Sequence, residues 1–298
     1  MFSYIPYEFE FIKLLLSYRI EALNPFFIFL NQLDQGPFYC LVGIVCFTLI
    51  NPRLGVRCFL MLALSISSNY FLKHIFMQPR PLVLDPSLGL IATHSLYGLP
   101  SGGAQAAASI AVFFTHYFKF KHLKYFAIGY VILICISRVY LGMHFISDVL
   151  LGCFIGYFST TLLLKYIDPL LNKLSHFSAL SIYSASFLLF ASALWLQIPF
   201  SYQAALSLVL GAVAAEYWLR RSSTAGDHFT NRIKIGYFIF SVIILNSMLF
   251  IKTHFPSLSM LQLFVLLHLL VLLHASIYKI SGLLRNHKES TGLNHNHK

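Results

Sequence analysis

The chain is organised around one short stretch, Ser137-Arg138-Val139-Tyr140-Leu141-Gly142-Met143-His144-Phe145-Ile146-Ser147-Asp148. Apolar runs of helical length lie on both sides of it. Arg138 closes the first run, Gly142 interrupts the chain, and His144 and Asp148 stand four residues apart at the start of the second run. Because residues four apart share one face of a helix, the Asp148 carboxylate is expected to accept the imidazole N–H. Such a pair fixes the tautomer of the ring and stabilises positive charge on it.

The composition of the whole chain indicates a membrane protein. Of its 298 residues, 58% are hydrophobic and only 10% are charged, and the mean hydropathy is +0.73. So few polar side chains could not cover a soluble protein of this size. The net charge is +11, but the basic residues lie in short loops and form no continuous face. They therefore indicate membrane topology and argue against a nucleic-acid partner.

The predicted fold class is all-α, a polytopic membrane helical bundle with about nine spans of roughly 20 apolar residues. The spans are predicted at 36–50, 54–77, 102–118, 122–141, 145–166, 177–197, 202–219, 233–252 and 258–280. Residues 1–35 mix apolar and charged side chains, which predicts helices at the membrane interface. Residues 36–166 are predicted to be the catalytic core, 167–280 additional membrane helices, and 281–298 a disordered cytoplasmic tail.

The loops predict the orientation of this bundle. Basic residues occupy every second connection, and these connections are expected in the cytoplasm together with the C-terminus. The opposite loops are poor in positive charge except near His144 and the two motifs described next. That polar cluster is therefore predicted to face the outside, which in a bacterium is the periplasm.

Two further motifs belong to the same side of the membrane. Lys73 and Arg80 stand seven residues apart, which is two turns if the helix continues, and prolines flank Arg80. In Pro100-Ser101-Gly102-Gly103 the serine suits a helix N-cap, and amides at a helix start attract anions. Taken singly, each motif also fits an ordinary role, either snorkelling cations or a capped helix. With Arg138 they predict a phosphate site in which His144 is the nucleophile. The predicted phosphate ligands are Lys73, Arg80, Arg138, Ser101 and the amides of Gly102 and Gly103.

In order and spacing these motifs resemble the signatures of the type 2 phosphatidic acid phosphatases, membrane relatives of the vanadium haloperoxidases and bacterial acid phosphatases. The family pattern is Lys-x6-Arg-Pro, Pro-Ser-Gly-His and Ser-Arg-x5-His-x3-Asp. The chain has Lys73-x6-Arg80-Pro81, Pro100-Ser101-Gly102-Gly103 and Ser137-Arg138-x5-His144-x3-Asp148. The resemblance covers about residues 36–166. It implies a six-helix core, a phosphohistidine on His144, a lipid-type phosphate substrate, and hydrolysis without a metal or other cofactor.

The second motif departs from the family at its last position. There Gly103 replaces the histidine that, by the resemblance, would protonate the leaving group. An alkoxide needs that proton, whereas a phosphate that leaves from a diphosphate does not. The glycine therefore favours an isoprenoid diphosphate substrate, transfer from such a donor, or a replacement acid. The nearest histidine is His94 in the preceding loop, which is the candidate acid, although a solvated loop histidine is the simpler explanation.

Three functions remain open at this point. The first is hydrolysis of an isoprenoid diphosphate or a phospholipid phosphate on the outer face of the membrane. The second is transfer of that phosphate to a lipid or glycan acceptor by the same residues. The third is binding or transport of a lipid phosphate without catalysis. Three cations would suffice for binding alone, so the presence of His144 and Asp148 favours an enzyme.

Overall fold

The computed structural model describes residues 5–93, 95–174 and 200–221, with isolated helical positions between 181 and 243. The helices of these ranges are α1 (Ile5–Ser17), α2 (Asn24–Gln32), α3 (Gly36–Val45), α4 (Pro52–Phe76), α5 (Pro81–Leu84), α6 (Gly102–Tyr117), α7 (Leu123–Tyr140), α8 (Ile146–Leu174) and α9 (Phe200–Arg221). A π-helical turn, Cys46–Ile50, extends α3. The described residues contain no β-strand, so the all-α prediction is confirmed.

The membrane character of the chain is visible in its helices. Within the described ranges, Pro52–Phe76, Leu123–Tyr140 and Ile146–Lys173 are long and apolar enough to cross a membrane. Glu21–Gln32 and Gly36–Ile50, which meet at 53°, add a fourth if they form one bent span. Large apolar side chains on α8, such as Leu150 and Phe154, are exposed, as lipid contact requires. The polytopic membrane fold is confirmed.

The number of spans stays a prediction. The predicted spans 177–197, 233–252 and 258–280 and the tail 281–298 lie largely or wholly outside the described residues. The predicted span 102–118 corresponds to α6, which has 16 residues and is shorter than a full crossing.

Residues 1–39 and 61–167 form one compact unit, which contains all the signature residues. Within it, α6 lies directly against α8. A β-carbon on Gly152 would lie 2.5 Å from the Ser101 carbonyl oxygen, and one on Gly156 would lie 2.2 Å from that of Gln105. Glycines four residues apart thus let the two backbones touch, as small residues do between membrane helices. The start of α6 consequently meets the start of α8, where the Ser101 N–H donates to the Asp148 carbonyl oxygen at 2.9 Å.

The first motif differs from the sequence expectation in its backbone. The helix α4 ends at Phe76, and Met77 adopts a φ of +50° before Gln78 and Pro79. Arg80 is therefore in extended backbone outside the helix, so the condition under which it would share a helical face with Lys73 is not met. A positive φ ends the helical path, and the proline that follows lacks an N–H to restore it.

The turn between α7 and α8 is built on Gly142, whose φ of +72° lies in the left-handed region that favours glycine. Its carbonyl oxygen accepts the Leu82 N–H at 3.1 Å. A β-carbon at this position would lie 2.1 Å from the Leu88 carbonyl oxygen. The loop that follows Arg80 is therefore packed against the turn that precedes His144.

The N-terminal segment contacts the same helix ends. The carboxylate of Glu8 accepts the Ser147 N–H at 2.8 Å and its hydroxyl at 2.7 Å, so it caps the start of α8. Arg19 donates to the carbonyl oxygens of Tyr140, at 2.9 Å, and of Leu88. These charges of the first 35 residues stabilise the loops that carry the signature residues.

The described residues among 40–60 and 168–298 belong to a second compact unit. In its described part, Phe47 and Val56 pack against small residues of α9, including Ala212 and Ala215. The ion pair of Arg57 with Asp168 belongs to this unit.

Candidate active site

His144 and Asp148 form the expected pair, although His144 lies in the loop before α8 and only Asp148 lies in the helix. The imidazole Nδ1 is 3.2 Å from Asp148 Oδ2, and both side chains are buried. Asp148 also accepts the Phe145 N–H at 3.0 Å and the Gln78 amide at 3.1 Å. A carboxylate held by these donors fixes the tautomer with the proton on Nδ1. The lone pair of His144 then lies on Nε2.

The first motif places two buried cations around that nitrogen. Arg80 Nη1 lies 3.1 Å from His144 Nε2, and Arg80 Nε donates to the Tyr97 carbonyl oxygen at 3.1 Å. Lys73 Nζ donates to the carbonyl oxygens of Tyr97, at 2.8 Å, and Gly98, at 2.9 Å. Only 8% of Lys73 and 6% of Arg80 are exposed. Cations buried among carbonyl oxygens are typical of a site for an anion.

Arg138, near the end of α7, supplies the third buried cation. Its Nη1 lies 2.6 Å from Asp34 Oδ2, and its Nη2 donates to the Asn31 side chain. Its Nε is buried and has no hydrogen-bond partner among the described residues. Leaving a buried donor unpaired costs about 1–3 kcal/mol, which an acceptor such as a phosphate oxygen would relieve.

The second motif forms the start of α6. Ser101 is the N-cap, and its hydroxyl accepts the Ala104 N–H at 3.5 Å. Amides of a first helical turn, here those of Gly102 and Gly103, have no carbonyl partner within their own helix and attract anions. Asn69 of α4 fixes this turn, because its amide donates to the Pro100 carbonyl oxygen at 3.2 Å.

These contacts bring the three motifs together at one end of the first unit. The residues that meet there are Lys73, Arg80, Ser101, Gly102, Gly103, Arg138, His144 and Asp148. His94, the candidate acid, lies outside the described residues.

A second set of residues, which the sequence motifs do not include, joins this site from the N-terminal segment. Asn31 and Asp34 contact Arg138, and the Tyr39 hydroxyl donates to Asp34 Oδ1 at 2.5 Å. An aspartate beside apolar helices is a signal of function, because burying a charge is costly. Asp34 was hard to single out because Glu8, Glu10, Lys13, Arg19 and Glu21 are charged in the same segment.

The buried charges shape the acid–base properties of the site. Burial and the positive charges of Arg80, Lys73 and Arg138 hold the pKa of His144 well below its usual value of 6.5. Burial lowers the pKa of Arg80 to about 10, while Asp148 opposes that change. At neutral pH, Arg80 therefore stays a cation, and the ring of His144 is neutral and keeps its lone pair.

The lowered pKa of His144 predicts how stability depends on pH. Below pH 6.5 the unfolded chain takes up a proton at this histidine that the folded chain does not. The free energy of unfolding should therefore fall as the pH drops from 6.5 toward the lowered value, and this group should contribute no slope above 6.5. Thermal unfolding of the purified protein in detergent, compared with His144→Gln, measures the contribution. Identical pH dependence of the two proteins would contradict the prediction.

Comparison with known proteins yields relatives of one kind. Residues 54–172 match the model of the PAP2 superfamily. The chain is 27% identical to sphingosine-1-phosphate phosphatase 1 of Mus musculus over 169 residues, which are 54% of this chain and 38% of the mouse protein. The chain thus spans well under half of that relative's length.

Two solved structures also align. LpxE of Aquifex aeolicus is 28% identical, with a TM-score of 0.48, and the match covers 53% of this chain and 94% of that one. A PAP2 type phosphatidylglycerolphosphate phosphatase of Bacillus subtilis is 25% identical, with a TM-score of 0.46, and the match covers 55% of this chain and 86% of that one.

Proposed function

We propose that this chain, whose residues 54–172 match the model of the PAP2 superfamily, is a membrane phosphatase for lipid phosphates that works through a phosphohistidine on His144. The observation that carries the proposal is the position of His144 Nε2. Asp148 binds the opposite ring nitrogen at 3.2 Å, and Arg80 lies 3.1 Å from Nε2 itself. A neutral imidazole beside buried cations combines a nucleophile with the charges that attract its target.

The first chemical step follows from this arrangement. When a phosphate binds, Arg80 shifts its hydrogen bond from Nε2 to a phosphate oxygen, and the unpaired Nε of Arg138 gains an acceptor. The Nε2 lone pair then forms a bond to phosphorus while the bond from phosphorus to the lipid oxygen breaks. The imidazole acquires positive charge, which the Asp148 carboxylate stabilises through Nδ1–H.

The second step releases the product. Water attacks the phosphohistidine, the bond from Nε2 to phosphorus breaks, and inorganic phosphate leaves with the water oxygen. Lys73, Arg80 and Arg138 stabilise the charge on the phosphoryl oxygens in both steps. The proposed scheme uses only these side chains and water.

A lipid phosphate is the substrate class that best fits this site. The ends of α4, α7 and α8 that carry it belong to helices able to cross a membrane, so a phosphate on a lipid headgroup would meet the cations at that boundary. The mouse relative is by its name a phosphatase for sphingosine 1-phosphate, which supports the class. The alternating basic loops favour an outward-facing site, as proposed from the sequence.

The test uses the purified full chain in detergent with phosphatidic acid, sphingosine 1-phosphate and an isoprenoid diphosphate as probes. Release of inorganic phosphate from a lipid probe is the expected result. Binding of the probes without release would overturn the enzymatic proposal in favour of a binding or transport protein. Movement of the phosphate to an added lipid alcohol, with none released to water, would identify a phosphotransferase instead.

A further inference from the structure

The space for a side chain at position 103 is already filled. A β-carbon built on Gly103 would lie 2.2 Å from Oδ2 and 2.3 Å from Oδ1 of Asp34. Real β-carbons do not approach other atoms so closely, so a side chain at 103 would require the Asp34 carboxylate to leave this position. Gly103 is the position at which the family pattern has its proton-donating histidine.

On this geometry, and resting on the proposed phosphatase function, we infer that Asp34 is the proton donor that replaces the missing histidine. The carboxyl group reaches the site from the junction of α2 and α3 instead of from α6. The glycine at 103 is then required, because any larger residue would displace Asp34.

The surroundings of Asp34 suit this role. Its side chain is 5% exposed and lies between Arg138 Nη1, at 2.6 Å, and the Tyr39 hydroxyl, at 2.5 Å. Its backbone N–H donates to the Asn31 carbonyl oxygen at 3.2 Å, which fixes the turn after α2. The carboxyl group therefore has a defined position beside a proposed phosphate ligand.

A bound phosphate changes the charge balance at this position. Without a ligand, the Asp34 carboxylate is the partner of Arg138. A phosphate dianion drawn to the same guanidinium would place two anions side by side, which favours a proton on one of them. A protonated Asp34 is then both compatible with the substrate and able to act as an acid.

Asp34 gives up one proton and regains one in each turnover. As the bond between phosphorus and the lipid oxygen breaks, the Asp34 proton moves to that oxygen, and the lipid leaves as an alcohol. Asp34 remains as a carboxylate paired with Arg138. When water attacks the phosphohistidine, Asp34 takes the proton that the water loses, and the acid is regenerated.

An acid at Asp34 favours one of the substrate classes that the sequence left open. An acid in the site allows an alcohol to leave, so lipid phosphate monoesters become good substrates. The absence of a histidine at 103 then no longer favours a diphosphate.

The test compares wild type with Asp34→Asn on a lipid phosphate monoester and on p-nitrophenyl phosphate, whose phenolate leaves without a proton. The expected result is a fall in kcat of about 10²–10⁴-fold for the lipid monoester and at most a few-fold for the aryl phosphate. The alkaline limb of the monoester pH profile should also disappear. Glu10→Gln, at an exposed carboxylate of α1, is the matched control and should keep both activities.

Other outcomes would overturn the inference. Equal losses on both substrates, with a raised KM, would show that Asp34 only positions Arg138. Unchanged activity on both would exclude it as the acid. Release of no phosphate from either substrate by wild type would instead overturn the proposed function, and the inference with it.

A residue exchange provides a second, independent measurement. Gly103→His should be inactive or poorly folded, because its β-carbon collides with the Asp34 carboxylate. The double variant Asp34→Gly with Gly103→His frees that space and should regain monoesterase activity over Asp34→Gly alone. A fully active Gly103→His single variant would overturn the proposed exclusion.

Discussion

His144→Ala should lower phosphate release from every lipid probe by at least about 10⁴-fold, because it removes the nucleophile and not merely a group that assists it. The cations of Lys73, Arg80 and Arg138 remain in this variant, so a lipid phosphate should still bind. The measurements are the rate of phosphate release and the binding of a labelled lipid phosphate. Loss of turnover with retained binding is the expected combination.

The phosphohistidine itself offers a direct readout of the same prediction. Wild type, quenched during turnover of a lipid substrate labelled in its phosphate, should carry label that is stable in alkali and lost in acid. His144→Ala should carry none, whereas His116→Ala, at an exposed histidine of α6, should be labelled like wild type. Equal labelling of wild type and His144→Ala would mean that another residue forms the intermediate.

The His144 and Asp148 pair was predictable because its contact is local. Two residues four apart at a helix start meet whether or not the distant fold is known, and the structure forms the contact even though the helix begins at Ile146. Small residues at the start of α6 likewise predicted a helix start to which an anion could come close. The membrane fold followed from composition alone, since it depends on the sum of many residues.

The backbone conformation of the first motif was harder to predict. The spacing of Lys73 and Arg80 suggested one helical face, but the chain leaves the helix at Met77. Arg80 still reaches His144, because the extended segment turns back and the Arg80 N–H donates to the Leu96 carbonyl oxygen at 3.2 Å. Arg80 therefore enters the site from an extended segment and not from a continuing helix.

Asp34 could not be identified from local sequence patterns, since its proposed role depends on contacts between residues that are far apart in the chain. The sequence showed that a histidine was missing at 103 and directed attention to His94, the nearest replacement along the chain. The structure instead brings a carboxylate from the α2–α3 junction into the space above Gly103. Proximity along the chain could not point to Asp34, because the helices that build the site come from separate segments, and the role of His94 stays a prediction.

Arg138→Leu should destabilise the folded protein by about 3–5 kcal/mol, the effect expected when one partner of a buried ion pair is removed. The reason is Asp34, whose side chain is 5% exposed and would lose its cation at 2.6 Å. The Tyr39 hydroxyl would be left as its neutral partner. Unfolding of the purified variants in detergent measures the loss.

The double variant Arg138→Leu with Asp34→Asn separates the two roles of this pair. Removing the carboxylate charge should restore most of the lost stability, since no unpaired buried charge remains. Activity should stay low, because the phosphate has lost a cation and the leaving group its proposed proton donor. A double variant no more stable than Arg138→Leu would show that the ion pair does not couple these positions. A stable but inactive double variant would mean that the buried pair serves chemistry rather than folding, since the fold tolerates its neutral replacement.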